Sequence, residues 1–246
     1  MSDFQSYLHH FLFGVYPYIC LSVFLLGSLV RFDRDQYTWK SDSSQMLRKS
    51  SLRWGSNLFH AGILFLFFGH LIGLLTPHFL YEGIISARNK QLFAVYSGGA
   101  AGVICFVGLS LLLHRRLFDP RIRLTSHRTD IAILLILWVQ LLFGLLTLPI
   151  SIRHADGGTM LILADWAQRV VTFRAGSAEG LINVDWVFKV HLVLGMTIFL
   201  LFPFSRLVHV WSGFASIAYV FRPYQVVRTR RLNLQPGHNA PPRERA

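Results

Sequence analysis

Four histidines lie inside long apolar stretches of the chain, His60 and His70 in one stretch and His191 and His209 in another. A polar side chain at membrane depth costs free energy, so such residues usually have a function. Haem iron accepts an imidazole on each face, and a bis-histidine site needs its two ligands on facing helices. Two histidines on each of two helices therefore predict two b-type haems.

Five apolar runs must position these histidines, and each is long enough to cross a bilayer, which takes about 20 residues. Their predicted bounds are 11–29, 57–75, 93–113, 131–150 and 188–210. Only 15% of the 246 residues are charged, against about 25% in a soluble domain. The sequence predicts an all-α integral membrane bundle, with one dihaem cytochrome b domain over 1–234 and a disordered tail over 235–246.

The basic residues predict the orientation of these spans. The net charge of +12 comes from Lys and Arg between the apolar runs, which argues against nucleic acid as a partner. Eighteen of the 24 basic residues fall on one side of the membrane, so the positive-inside rule places the N-terminus outside and the C-terminus in the cytoplasm. The second and fifth spans are then antiparallel. His60 should pair with His209 on the cytoplasmic side, and His70 with His191 on the outer side.

The spacings of the paired histidines do not match. In a continuous helix His191 and His209 would be separated by five turns, about 27 Å, whereas His60 and His70 would be only about 15 Å apart. We expect helix tilt, side-chain reach or a kink at Pro203 to absorb the difference.

Small and basic residues accompany the histidines. The glycines that would leave room for a flat macrocycle are Gly62 after His60, Gly69 and Gly73 around His70, and Gly195 after His191. Arg206, one turn before His209, is placed to pair with a haem propionate. It is explained equally well as an end-of-helix arginine reaching the interface.

The segment 151–187, between the fourth and fifth spans, is the longest connection on the outer side. Its apolar residues Met160, Leu163, Ala167 and Val170 recur at helical spacing, with Trp166 beside them. This pattern predicts a short amphipathic helix on the outer membrane face, which either covers a site beneath it or, as we favour, is an ordinary packed surface helix.

Motifs in order along the chain carry a family resemblance. They are YPYI at 16–19, QYTW at 36–39, SQML at 44–47, NLFH at 57–60, GH at 69–70, LTPH at 75–78, WAQ at 166–168, VTF at 171–173, HLVLGM at 191–196, and FPFSRL at 202–207 with His209. Together they resemble the membrane cytochrome b (gamma) subunit of respiratory nitrate reductase, over roughly residues 12–231.

The resemblance implies a quinol-oxidising subunit, with menaquinol or ubiquinol as substrate, in the bacterial inner membrane. Electrons would pass from the outer face through two haems b to an iron–sulfur beta subunit, and on to a molybdenum alpha subunit that reduces nitrate to nitrite. The family's axial ligands match His60, His70, His191 and His209, with the same antiparallel pairing. Its quinol-site lysine matches Lys90, with Gly69 and His70 beside it.

Two other functions compete with this one. A transporter or channel could relay protons through the histidines, but the spans contain almost no Asp or Glu, Asp130 lying at a helix edge. A dihaem subunit could also serve a different complex, of the heterodisulfide or sulfite type. The chain itself cannot reduce nitrate, because its two cysteines, Cys20 and Cys105, lie far apart inside apolar runs and cannot hold a cluster.

Overall fold

A computed structural model describes residues 3–35, 38–39 and 49–213. The chain divides into two compact units, Met1–Val210 and Trp211–Ala246, and the features below belong to the first. The predicted tail over 235–246, the SQML motif at 44–47 and the end of the predicted domain at 234 lie outside the described residues.

The described residues form helices joined by short connections. The α-helices are α1 Asp3–His10, α2 Tyr16–Arg34, α3 Lys49–Leu75, α4 Ala87–Phe118, α5 Pro120–Leu124, α6 Arg128–Arg153, α7 Gly158–Val171 and α8 Trp186–Leu201. A π-helical segment, Phe11–Val15, joins α1 to α2, and 3-10 turns span His78–Leu80, Glu179–Leu181, Phe202–Phe204 and Arg206–Val208.

Five helical segments in the described part of the chain are long and apolar enough to cross a membrane. They are Asp3–Arg34, Leu52–Leu75, Ala87–Phe118, Arg128–Arg153 and Trp186–Phe204. The predicted all-helical architecture with five spans is therefore confirmed, and the first four predicted runs lie within observed helices. The orientation across the membrane stays a prediction.

The fifth span was predicted as a continuous run to position 210, whereas α8 ends at Leu201. The predicted end of this span is therefore wrong. Pro203 has no N–H for the carbonyl of Phe199, four residues earlier, and the Phe202 N–H bonds that carbonyl instead. Ser205 is then extended (φ −120°, ψ 177°), and its hydroxyl accepts the Leu207 N–H to start the next turn. His191 and His209 are thus separated by a break rather than by five helical turns.

The spans pack in series, α3 against α4, α4 against α6, α6 against α8 and α8 against α2. The histidine-bearing helices α3 and α8 are not neighbours in this series. The imidazoles of His70 on α3 and His191 on α8 nevertheless lie close to each other. The gap between the two helix backbones suits a flat group held between them.

The helix predicted within 151–187 is confirmed as α7. It buries Trp166, Ala167 and Val170 against Phe13 and Phe188 in the main apolar cluster. The Trp166 indole N–H donates to the Phe13 carbonyl oxygen at 3.0 Å. That carbonyl lies in the π-helical segment, four residues before Pro17, which has no N–H to offer it.

Candidate functional site

The structure brings the four intramembrane histidines together as two pairs. The ring centroids of His60 and His209 are 6.4 Å apart, and those of His70 and His191 are 6.2 Å apart. In each pair one imidazole comes from α3 and the other from the fifth span. Two imidazole–metal bonds of about 2 Å each, plus the half-width of each ring, also require centroids about 6 Å apart.

All four imidazoles have the same nitrogen engaged with the backbone. Each Nδ1 lies within hydrogen-bond distance of a carbonyl oxygen: His60 of Ser56 at 2.7 Å, His70 of Leu66 at 2.7 Å, His191 of Gln140 at 3.1 Å and His209 of Arg206 at 2.6 Å. A carbonyl only accepts, so the proton must sit on Nδ1 and the lone pair on Nε2. This arrangement is typical of metal-ligating histidines, whose other nitrogen is fixed by a carbonyl or carboxylate.

The residues present therefore fit two bis-imidazole haem sites. No group of three or more His, Cys, Asp or Glu in the described residues is placed to hold a metal ion. A planar group with two axial positions matches isolated pairs of histidines better than a multidentate metal site does.

The surroundings of His191 come from α6. The Gln140 carbonyl accepts from its Nδ1, and the Gln140 amide nitrogen lies 3.5 Å from its Nε2. A Cβ built at Gly144 would lie 2.9 Å from Cε1 of His191, so the imidazole needs glycine there. Neither residue was predicted. A glycine within a bulky apolar run was the only available signal, and it does not identify its partner.

The surroundings of His209 are polar by contrast. Arg206, whose carbonyl accepts the His209 proton, places its Nε 3.6 Å from the Asp130 carboxylate. Arg116 donates to the other oxygen of the same carboxylate at 3.2 Å. All three side chains are at least 85% buried. The predicted pairing of Arg206 with a propionate stays a prediction, and within the chain this arginine contacts a carboxylate.

The glycines near the histidines have different environments. A Cβ at Gly62 would lie 2.6 Å from Cβ of Cys105, so this glycine serves the close approach of α3 to α4. At Gly69 and Gly73, one turn apart on α3, a Cβ would meet nothing within 4 Å. The room predicted beside the histidines is therefore found around His70, and not at Gly62.

Lys90 lies at the same end of α3 as His70. Its ammonium donates to the Gly73 carbonyl at 3.1 Å and lies 3.6 Å from the centre of the Tyr81 ring. Burial raises the pKa of the Tyr81 phenol, and the Glu82 carboxylate raises it further. The phenol is thus neutral near pH 7, and Lys90 brings a cation beside the open strip at Gly69 and Gly73.

Comparison with known proteins identifies the family. A family model described as "Nitrate reductase gamma subunit" matches residues 9–230. This chain belongs to the nitrate reductase gamma subunit family. The respiratory nitrate reductase 1 gamma chain of Escherichia coli (strain K12) is 52% identical over 226 residues, covering 92% of this chain and 100% of its own length.

Two further relatives agree with this assignment. The respiratory nitrate reductase 2 gamma chain of Escherichia coli (strain K12) is 54% identical over 92% of this chain and 99% of its own length. The nitrate reductase gamma chain of Bacillus subtilis (strain 168) is 38% identical over 89% and 97%. The family resemblance read from the motifs is confirmed, and this gamma subunit is part of an oxidoreductase complex, a respiratory nitrate reductase.

Proposed function

We propose that this gamma subunit holds two haems b, one between His60 and His209 and one between His70 and His191, and carries electrons from quinol toward the cytoplasm. The observation that carries the proposal is the geometry of the two pairs, with ring centroids 6.4 Å and 6.2 Å apart and every Nδ1 committed to a carbonyl. When bound, the two haems supply one-electron redox steps across the membrane. The chain's part is to fix the imidazoles.

The proposed orientation has the N-terminus outside and the C-terminus in the cytoplasm. It is supported by the eighteen basic residues on one side of the five spans. The His70–His191 pair then lies toward the outer face and the His60–His209 pair toward the cytoplasm. For a bacterial respiratory subunit this membrane is the inner membrane.

The proposed quinol site lies at the outer pair, with Lys90, Gly69 and His70 as its residues. A flat ring fits the strip that Gly69 and Gly73 leave open, and the Lys90 ammonium beside it is placed to donate to a quinol oxygen. Oxidation of one quinol to quinone releases two electrons and two protons. The protons leave on the outer side while the electrons move inward, so turnover contributes to the membrane potential.

The proposed partners are an iron–sulfur beta subunit and a molybdenum alpha subunit that reduces nitrate to nitrite. The relatives are named as gamma chains of nitrate reductases, and this chain is matched over nearly its whole length. Both of its cysteines are buried and unpaired, so it offers no iron–sulfur site of its own. Among dihaem complexes, membership of the gamma family favours nitrate reductase over heterodisulfide or sulfite types.

Haem quantification of the purified complex tests this function. We expect two b-type haems per gamma subunit, both reduced by a quinol analogue and both reoxidised by nitrate. A complex without a reducible b-type absorption band would overturn the proposal. Copurification of a partner other than molybdenum and iron–sulfur subunits would show that the chain serves a different redox complex.

A further inference from the structure

The break between α8 and His209 has a hydrogen-bond partner on another helix. Arg31, in the last turn of α2, donates from one guanidinium nitrogen to the carbonyls of Pro203 at 2.6 Å and Ser205 at 2.8 Å. Its second terminal nitrogen donates to the Thr38 carbonyl at 2.9 Å. Pro203 and Ser205 lie where regular helix is lost, and buried carbonyls there need a donor from elsewhere.

A glycine in α2 allows this helix to approach the break closely. Gly27, one turn before Arg31, faces Pro203, and a Cβ on it would lie 2.9 Å from Cγ of the proline ring. The backbone of α2 therefore lies close enough for one terminal nitrogen of Arg31 to donate to both carbonyls of the break, while the other arm of the rigid guanidinium fork is held by Thr38. Arg34, in the same helix, contrasts with it: its side chain is 82% exposed and pairs with its neighbour Asp33.

The other end of the break is held by α6. Asp130 receives Arg206 and Arg116 on its two oxygens, and it is 92% buried. Arg206 begins the last 3-10 turn, and its carbonyl accepts the Nδ1 proton of His209. A displacement of Arg206 therefore moves the acceptor that fixes the His209 ring.

We propose that Arg31 and Asp130 are positioning residues that clamp the break at 202–208 between α2 and α6, and thereby aim His209 at His60. The proposal rests on the proposed function in one respect, that the His60–His209 pair holds a haem. The break needs such support because Ser205 is not helical and the turns on either side of it contain only three residues each.

The test uses the whole complex and three variants, Arg31→Gln, Arg31→Lys and Asp130→Asn, with Arg34→Gln as the matched control. For each we would measure haem content, the midpoint potential of each haem, and the low-spin electron paramagnetic resonance signals, which report the angle between the two axial imidazole planes. A role confined to general stability would change both haems alike.

For Arg31→Gln we expect the cytoplasmic-side haem either to be lost or to change its resonance signal and midpoint potential. The outer haem should keep its signal and its potential. Arg31→Lys should give a smaller change in the same haem, because an ammonium donates to these carbonyls without the fork geometry. Asp130→Asn should raise the potential of that haem, since Arg116 and Arg206 lose their counter-charge and positive charge favours the reduced form. Arg34→Gln should match the unaltered complex.

Unchanged signals in Arg31→Gln and Asp130→Asn, or equal changes in both haems, would overturn the clamp. If Arg31→Gln does not accumulate in the membrane, Arg31→Lys decides, since a signal change confined to one haem supports the clamp and an unchanged spectrum refutes it. An unaltered complex without two haems would instead refute the proposed function, so the two failures are distinguishable.

Discussion

The two histidine pairs share the same hydrogen bonds from Nδ1 to backbone carbonyls, but their surroundings differ. His191 sits on an uninterrupted helix, with Gly144 of α6 directly against its ring. His209 follows a break, and its surroundings are set by the hydrogen bonds of Arg31 and the carboxylate of Asp130. Beyond the carbonyl that each Nδ1 bonds, the His70–His191 pair is confined by packing and the His60–His209 pair by charge and further hydrogen bonds. Substitutions of volume and of charge should therefore act on different pairs.

Removing one ligand from each pair should have the largest effect. His191→Ala should abolish the outer haem and, with it, quinol-driven reduction of the haem that remains. His209→Ala should abolish the other haem and leave the outer one reducible by quinol. Haem content and reduced-minus-oxidised spectra would check both outcomes, and a variant that kept two haems would show that the pairing is wrong.

Adding side-chain volume on α6 should have the next largest effect, and it should affect the two histidine pairs differently. Gly144→Val would press on the His191 imidazole, and overpacking of this kind costs about 1–3 kcal/mol. We expect displacement or loss of the outer haem with the other haem intact. Gly98→Val is the matched control, because a Cβ added there would meet nothing within 4 Å. Equal loss of both haems in Gly144→Val would contradict positioning by shape.

A smaller and purely kinetic effect is expected at Lys90. Lys90→Ala should keep both haems and lower kcat/KM for quinol about ten- to a hundredfold, as expected when a charged hydrogen bond of about 1.5–3 kcal/mol is lost. Lys189 offers a control, because its ammonium also donates to a backbone carbonyl, that of Ile182, at 2.7 Å. Steady-state quinol oxidation would check the prediction. An equal loss of kcat/KM in Lys90→Ala and Lys189→Ala would show that Lys90 has no special role.

Hydropathy and basic-residue counts were sufficient to predict five spans and which histidines should face each other. These signals are local, because each span must be apolar along its own length. A kink at Pro203 was one of three ways to reconcile the 10-residue and 18-residue spacings, with helix tilt and side-chain reach, and the helix does break there. The extended Ser205 and the contact with Arg31 could not be predicted, because the donor and its acceptors are 172 and 174 positions apart in the chain.

The glycines show the same limit. Gly62 and Gly69 both neighbour a predicted ligand on α3, yet one is packed against α4 and the other is open. Sequence places them on one helix but does not say which neighbour each one faces. Gln140 and Gly144 were missed for the same reason, since their partner His191 lies on another helix.

The π-helical segment at Phe11–Val15 has a consequence for the folding of distant parts of the chain. Its Phe13 carbonyl has no donor at Pro17 and accepts from Trp166 and Ser177, which follow it by 153 and 164 residues. The helical segment Asp3–Arg34 therefore completes its hydrogen bonding only when α7 and the segment after it pack against it, which couples two distant parts of the chain in folding.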